Sequence, residues 1–546
     1  MIVQRLACAL ALMGASAAAA TPPTVPGPPH APPPKLMIVI SVDQFSSDLF
    51  DEYSPQLLGG LGRIASGVAF RNGYQSHAAT ETCPGHSTIL TGRHPAGTGI
   101  IGNLWTDQSA ARADKNVYCA EDERVPGSTS TSYTVSPEHL RVPTLGDLLK
   151  KQSPSSRNVA VAGKDRAAVM MSGHSADQRW YWTGKAFATD LKVPTPAAVT
   201  ATNAAVATAI TQPREALESP PVCSAKAQLI PLVGRAPVGN GAFARAAGDT
   251  AAFRASPEAD GAVLALAAAL IKEMRLGRGP TTDLLSIGLS ATDYVGHSFG
   301  TGGQEMCLQL LSLDRDLGDF LRVLDSQGLD YAIALTADHG GLDIPERLRL
   351  KGVADAARSA PSLNAPAIGK AIGAKLTLDG PILLGDVSGD VYIDRALSTA
   401  DRKRVLAAAL EAYRAQPQVE AVLTREEIAA TPMPTGSPVG WTLPQRARAS
   451  YDADRSGDFV VMLKKNITPI AVPTTYISTH GSPWDYDRRV PILFWSRDMA
   501  RLPQEAAIET TDIMPTLAAL LQLSTRGTVV DGRCLDGLVP LICPVR

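Results

Sequence analysis

Leu36-Met37-Ile38-Val39-Ile40-Ser41-Val42 is a short apolar run, rich in β-branched residues, that stops at Asp43. It lacks the apolar/polar alternation of a strand with one face in water. It therefore reads as a strand buried on both faces, the kind found in parallel sheets. Similar runs recur at 158–163 (NVAVAG), 284–290 (LLSIGLS), 331–337 (YAIALTA) and 490–495 (VPILFW). Helical stretches lie between them, such as 304–325, where apolar residues return every three or four positions. Alternating strands and helices predict an α/β domain over 35–546, with a mainly parallel sheet flanked by helices.

Two stretches fit that alternation poorly. Residues 194–260 are rich in Ala, Thr and Pro with no clear core period, and 375–450 holds a strand at 390–393 and a helix at 399–415. Both are read as insertions forming a smaller cap region. At the other end, Arg5, the apolar 6–13 stretch and Ala18-Ala19-Ala20 have the layout of a signal peptide over 1–20. The apolar stretch is shorter than the ~20 residues a spanning helix needs. A proline-rich linker, TPPTVPGPPHAPPP, follows at 21–34. The expectation is an exported protein, periplasmic or extracellular, with no transmembrane segment after signal removal.

The balance of 51 basic and 53 acidic residues, net charge −2, offers no basic stripe for nucleic acid. Of seven cysteines, Cys8 leaves with the signal, and six in an exported chain suggest disulfides. Cys534–Cys543 is the first pairing by proximity. Cys223–Cys307 and Cys83–Cys119 are the next, among 15 connectivities open to six cysteines.

Ionisable residues follow the apolar runs directly. Asp43 ends the first, Lys164-Asp165-Arg166 follow NVAVAG, Asp293 and His297 follow LLSIGLS, and Asp338-His339 follow YAIALTA. Ligands of open parallel sheets bind beyond the carboxyl ends of the strands, so these groups converge on one edge. Asp and His in such numbers, with His480 in Thr479-His480-Gly481-Ser482, suit zinc, and also manganese or iron. Thr82, in His77-Ala-Ala-Thr-Glu-Thr82-Cys-Pro-Gly-His86, reads as the N-cap of a helix with Pro84 in its first turn. A hydroxyl there sits in a field that also favours phosphate, and a bound metal must promote its deprotonation. Cys83 is the competing nucleophile.

In these segments the chain resembles the alkaline phosphatase superfamily. The resemblance rests on Val42-Asp43, Thr82-Cys-Pro-Gly-His86, Asn103, Asp293-Tyr-x-x-His297, Asp338-His339-Gly340-Gly341 and Thr479-His480-Gly481, and it extends over nearly the whole mature chain. Gly163-Lys164-Asp165-Arg166, the threonine, and the 478–487 stretch are similar to the phosphate-irrepressible alkaline phosphatases of Gram-negative bacteria. The resemblance implies two Zn2+ per chain. Asp293, His297 and His480 would hold one; Asp43, Asp338 and His339 would hold the other, together with Thr82. It further implies that Asn103, Lys164 and Arg166 contact the phosphoryl group, and that Thr82 passes through a phosphothreonine.

The Lys164/Arg166 pair favours the doubly charged phosphate monoester as substrate over a diester. A phosphodiesterase, nucleotide pyrophosphatase or phosphonate hydrolase with the same metals is the alternative. A sulfatase would carry C/S-x-P-S-R where this chain has Thr82-Cys-Pro-Gly-His86. A non-catalytic, metal-stabilised extracellular binding protein would bind metal without turnover.

Overall fold

Successive side chains of a strand point to opposite faces, and the first strand, β1 (Leu36–Val42), shows what that demands here. Leu36, Ile38, Ile40 and Val42 enter one hydrophobic core, while Met37 and Val39 enter another. The sheet is thus covered on both faces, which is why the run carries no polar alternation. The computed structural model describes residues 32–536 and Cys543. The signal peptide at 1–20 and residues 21–31 of the linker lie outside the described residues. Among the described residues, no helix is long and apolar enough to cross a membrane.

The main sheet continues with β2 (Val68–Tyr74), β3 (Asn158–Ala162), β4 (Gln178–Trp182), β5 (Phe187–Ala188), β6 (Asp283–Leu289), β7 (Tyr331–Thr336), β8 (Arg489–Ser496), β9 (Leu502–Gln504) and β10 (Ile508–Glu509). Their spatial order is β9-β2-β8-β7-β1-β6-β3-β4-β5, with β10 also on β2. The centre is parallel: β1 pairs with β6 and β7, and β6 with β3. The fold is therefore α/β with a large, mostly parallel sheet flanked by helices. Helices Pro257–Met274 and Gln304–Ser326 cover the first face, and Thr82–Thr91, Leu145–Gln152 and Ile513–Leu520 the second.

One expectation about direction is corrected. The 490–495 run is read above with the parallel strands, yet β8 is antiparallel to both β7 and β2. Its residues are buried on both faces like those of its neighbours. An unbroken apolar run therefore reports burial, not direction.

In the 375–450 region, strands Leu383–Gly385, Gly389–Ile393 and Val419–Thr424 join Phe459–Leu463 in a four-stranded antiparallel sheet. This sheet has its own core, to which helices Ala365–Leu376 and Thr399–Arg414 contribute Ile368, Val405 and Tyr413. The 194–260 region forms helix Ala197–Thr211, whose Val199, Val206 and Ile210 enter the core of the main sheet. That helical spacing is masked in the sequence by surrounding alanines. The three disulfides pair as expected: Cys83–Cys119, Cys223–Cys307 and Cys534–Cys543.

Beyond the Thr82–Thr91 helix, the chain is held to the C-terminal segment by His94. Its backbone N–H donates to Asp531 at 2.8 Å, and its ring nitrogens lie 3.2 Å from Asp531 and 3.1 Å from Glu509. Burial opposes the imidazolium, but Asp531 and Glu509 outweigh it and raise His94 to about 9. A folded-state pKa raised above the ordinary His value stabilises the fold fully below about pH 6.5, and that stabilisation is lost as pH rises through about 9. His94→Gln is accordingly expected to lower Tm at pH 6, by the equivalent of about 3 kcal/mol, and to match the parent above pH 9.5. Equal Tm differences across melts from pH 6 to 10 would refute this.

Candidate metal centre and nucleophile

Four adjacent strands of the sheet, in the order β7-β1-β6-β3, end at one edge and deliver the ionisable groups. Asp338 and His339 follow β7, Asp43 follows β1, and Lys164 follows β3. Asp293 and His297 sit on helix Ala291–Phe299, entered directly from β6, and being four apart they share a helix face. His480 comes from the loop before β8, whose antiparallel course starts it at this same edge. Thr82 begins the helix after β2.

The six Asp and His side chains form two clusters, Asp293/His297/His480 and Asp43/Asp338/His339. Within each, one ligand atom per residue lies within 4.8 Å of the others. The histidine tautomers follow from their partners. His297 Nδ1 lies 2.8 Å from the Ser478 carbonyl, His339 Nδ1 2.8 Å from that of Gly340, and His480 Nδ1 2.9 Å from that of Thr80. A carbonyl oxygen only accepts, so each Nδ1 donates and, in the neutral ring, each Nε2 turns a lone pair inward. His339 Nε2 faces Asp338 Oδ2 at 3.3 Å and Asp43 Oδ1 at 3.4 Å. His297 and His480 Nε2 face Asp293 Oδ1 at 3.1 and 3.4 Å. Buried acceptors opposed at such distances need a cation between them. Asp43 Oδ1 and His339 Nε2 have no hydrogen-bond partner. The donor set of nitrogen and carboxylate oxygen is one that zinc accepts.

Burial opposes the His480 imidazolium, but Asp293 raises its pKa above the ordinary value, so a metal there would have to displace that proton. Burial, then the Asp293 and Asp338 carboxylates, hold the Asp43 carboxyl well above its ordinary pKa, against Lys164. Burial also acts on Asp338 and Asp293, but His339 and His86 hold the first low, and His297 and Lys164 the second. Burial pushes His339 down to about 3, so it is neutral, as a ligand must be. Lys164 Nζ lies 2.6 Å from both Asp43 Oδ2 and Asp293 Oδ2, bridging the clusters. Burial disfavours its charge, yet Asp293 and Asp43 raise its pKa above the ordinary lysine value.

Thr82 differs from its expected position by one residue. Glu81 is the N-cap and Thr82 the first helical residue. The difference matters, because an N-cap hydroxyl is occupied by a backbone N–H. Thr82 Oγ1 instead is buried without a partner. Glu81 does not cap with its side chain; its Oε2 accepts from the Asn103 N–H at 2.6 Å. Asn103 Oδ1 in turn accepts from the Cys83 N–H at 2.8 Å, which leaves the Asn103 amide hydrogens free beside Thr82. Cys83 is disulfide-bonded and has no thiol to compete as nucleophile.

Arg166 is braced from behind. Tyr118 and Tyr133 hydroxyls donate to the two Asp165 oxygens at 2.7 and 2.8 Å, and Arg166 Nη1 donates to the Tyr118 oxygen at 3.3 Å. Sequence reasoning passed over these tyrosines, and also His86. His86 Nδ1 stands 2.9 Å from the Thr82 carbonyl and 3.1 Å from Asp338 Oδ2, tying the Thr82 segment to a cluster. Its place in the Thr82-Cys-Pro-Gly-His86 segment was the available signal.

With this geometry in view, comparison with known proteins is direct. Residues 37–482 match the family described as type I phosphodiesterase/nucleotide pyrophosphatase. The alkaline phosphatase PhoK of Sphingomonas sp. is 52% identical over 513 residues, covering 93% of this chain and 91% of PhoK. The alkaline phosphatase PhoD of Zymomonas mobilis is 46% identical, covering 94% of this chain and 90% of PhoD. The crystal structure of wild-type alkaline phosphatase PafA superposes with a TM-score of 0.80 at 25% identity, covering 93% of this chain and 99% of PafA. By extent of match and degree of identity, the chain belongs to the type I phosphodiesterase/nucleotide pyrophosphatase family, within the alkaline phosphatase superfamily.

Proposed function

We propose that this protein is an exported alkaline phosphatase that hydrolyses phosphate monoesters with Thr82 as nucleophile and two zinc ions as cofactors. The observation that carries the reading is the unpartnered Thr82 hydroxyl set at the edge where two Asp/His clusters turn their lone pairs inward. Kinship with PhoK and PhoD, both alkaline phosphatases, supports the monoester as substrate. Asp293, His297 and His480 would hold one zinc, and Asp43, Asp338 and His339 the other, next to Thr82. When bound, the ions supply Lewis acidity and positive charge to the entering and leaving oxygens.

The chain's own groups do the rest. Thr82 Oγ1 attacks phosphorus, its bond to phosphorus forms as the ester P–O bond breaks, and the proton it gives up is restored to the departing alcohol. Water then cleaves the phosphothreonine, returning the hydroxyl and releasing inorganic phosphate. The Asn103 amide and the Arg166 guanidinium orient the phosphoryl oxygens, and Lys164 adds charge that a dianion meets better than a monoanion. Disulfides Cys83–Cys119 and Cys223–Cys307 support export to an oxidising compartment.

The test is turnover of p-nitrophenyl phosphate against bis-p-nitrophenyl phosphate by the zinc-loaded protein. A strong monoester preference abolished by chelation is expected. A diester preference would move the protein to the phosphodiesterase alternative, and metal binding without turnover of either to the binding-protein alternative.

The position of Thr82 depends on Gly85, where an added Cβ would fall 2.0 Å from the Asp338 carbonyl oxygen. Backbone cannot yield as a flexible side chain does, so Gly85→Ala displaces the nucleophile helix. Turnover is expected to fall by about 10²-fold with little change in far-UV circular dichroism. Undiminished kcat would show that the close approach is not needed.

A further inference from the structure

Gln44 follows Asp43 in sequence but belongs to neither cluster. It is buried, and its φ of 64° puts a non-glycine residue in the left-handed region. Such strain persists where the surroundings over-determine it, and it concentrates at functional sites. Its backbone N–H donates to Asp338 Oδ1 at 3.1 Å, and its side-chain Nε2 donates to Asp293 Oδ1 at 3.2 Å. One residue therefore reaches a carboxylate of each cluster.

The two ligand-bearing segments are shaped to admit it. Gly296 lies between Asp293 and His297, and a Cβ there would stand 1.5 Å from Gln44 Oε1. Gly341 lies two residues after His339, and a Cβ there would stand 2.8 Å from Gln44 Cγ and Cδ. Gln44 Oε1 has no hydrogen-bond partner, so the amide is oriented by its donor end, toward the carboxylate. At Asp338, engagement of Oδ1 by the N–H leaves Oδ2 to face His339.

We propose that Gln44 is a positioning residue shared by the two metal centres. Its backbone fixes Asp338 in one, and its side-chain amide fixes Asp293 in the other. The proposal rests on the two-metal reading above. Removing the side chain weakens the Asp293/His297/His480 centre and spares the Asp43/Asp338/His339 centre, because the backbone N–H remains.

The test is zinc titration of the full-length, metal-free protein against a competing chelator, which resolves two dissociation constants. Gln44→Gly keeps the N–H and accepts a positive φ. Gln44→Asn also tolerates that φ but is one methylene too short, and it serves if the glycine variant does not fold. Either variant is expected to weaken one constant by about 10- to 100-fold, the usual effect of losing an outer-shell partner, and the other by less than about threefold. His480→Ala removes a ligand of the same centre, so adding Gln44→Gly to it is expected to leave the remaining constant within about threefold. Two unchanged constants in the Gln44 variants, or two equally weakened, would overturn this positioning role while leaving the two-metal reading intact. A parent protein that binds fewer than two zinc ions would overturn both.

Discussion

Thr82→Ala is expected to lower phosphomonoester kcat/KM by about 10⁴-fold or more, the scale seen when a nucleophile is removed from a preorganised site. The fold is expected to survive, with Tm within about 2 °C of the parent. The hydroxyl makes no hydrogen bond in the folded protein, so no native contact is lost with it. Acid quenching of the parent during turnover is expected to trap phosphate on the peptide containing Thr82, and the variant is expected to trap none. Cys83 offers no rescue, since its sulfur is held by Cys119. Retention of more than about a tenth of the activity would remove Thr82 from the mechanism, whatever became of the metals.

Lys164→Ala combined with Arg166→Ala is the second large effect. Each cation makes a charge-assisted contact with an equatorial oxygen in the proposed complex, worth about 1.5–3 kcal/mol. A diester offers one negative charge fewer, so the loss falls mainly on the monoester. The ratio of monoester to diester kcat/KM is expected to shrink by about 10³-fold. Lys164→Ala alone has a separate signature, because its ammonium lies 2.6 Å from both Asp43 and Asp293. Without it two buried carboxylates are left facing each other, and the metal-free protein is expected to melt at lower temperature than its parent until zinc is added. An unchanged substrate ratio in the double variant would end the specificity role of the pair.

The parts of this architecture that could be read from the sequence are those written in consecutive residues. An apolar run ending in a charged residue gives both a buried strand and its functional end, which is why β1, β3, β6 and β7 and the groups after them were legible. β2 was missed because Arg71, Asn72 and Gly73 interrupt its apolar pattern, although it leads to Thr82. The direction of β8 was missed because pairing partners are set by distant segments. Gln44, His86 and Tyr118 escaped notice for a related reason. Each reaches at least one residue far along the chain, and no local spacing signals that. The one-residue displacement of Thr82 from cap to first turn is of the size at which helix ends are poorly specified by sequence. Here it separates an occupied hydroxyl from a free one.

The Cys83–Cys119 bond joins the residue after Thr82 to the residue after Tyr118, the tyrosine against which Arg166 rests. Both Thr82 and the Arg166 guanidinium are thereby referred to a single covalent cross-link that a reducing cytosol does not let form. In the exported phosphatase proposed above, Thr82 and Arg166 would thus be referred to each other only once the chain had reached an oxidising compartment.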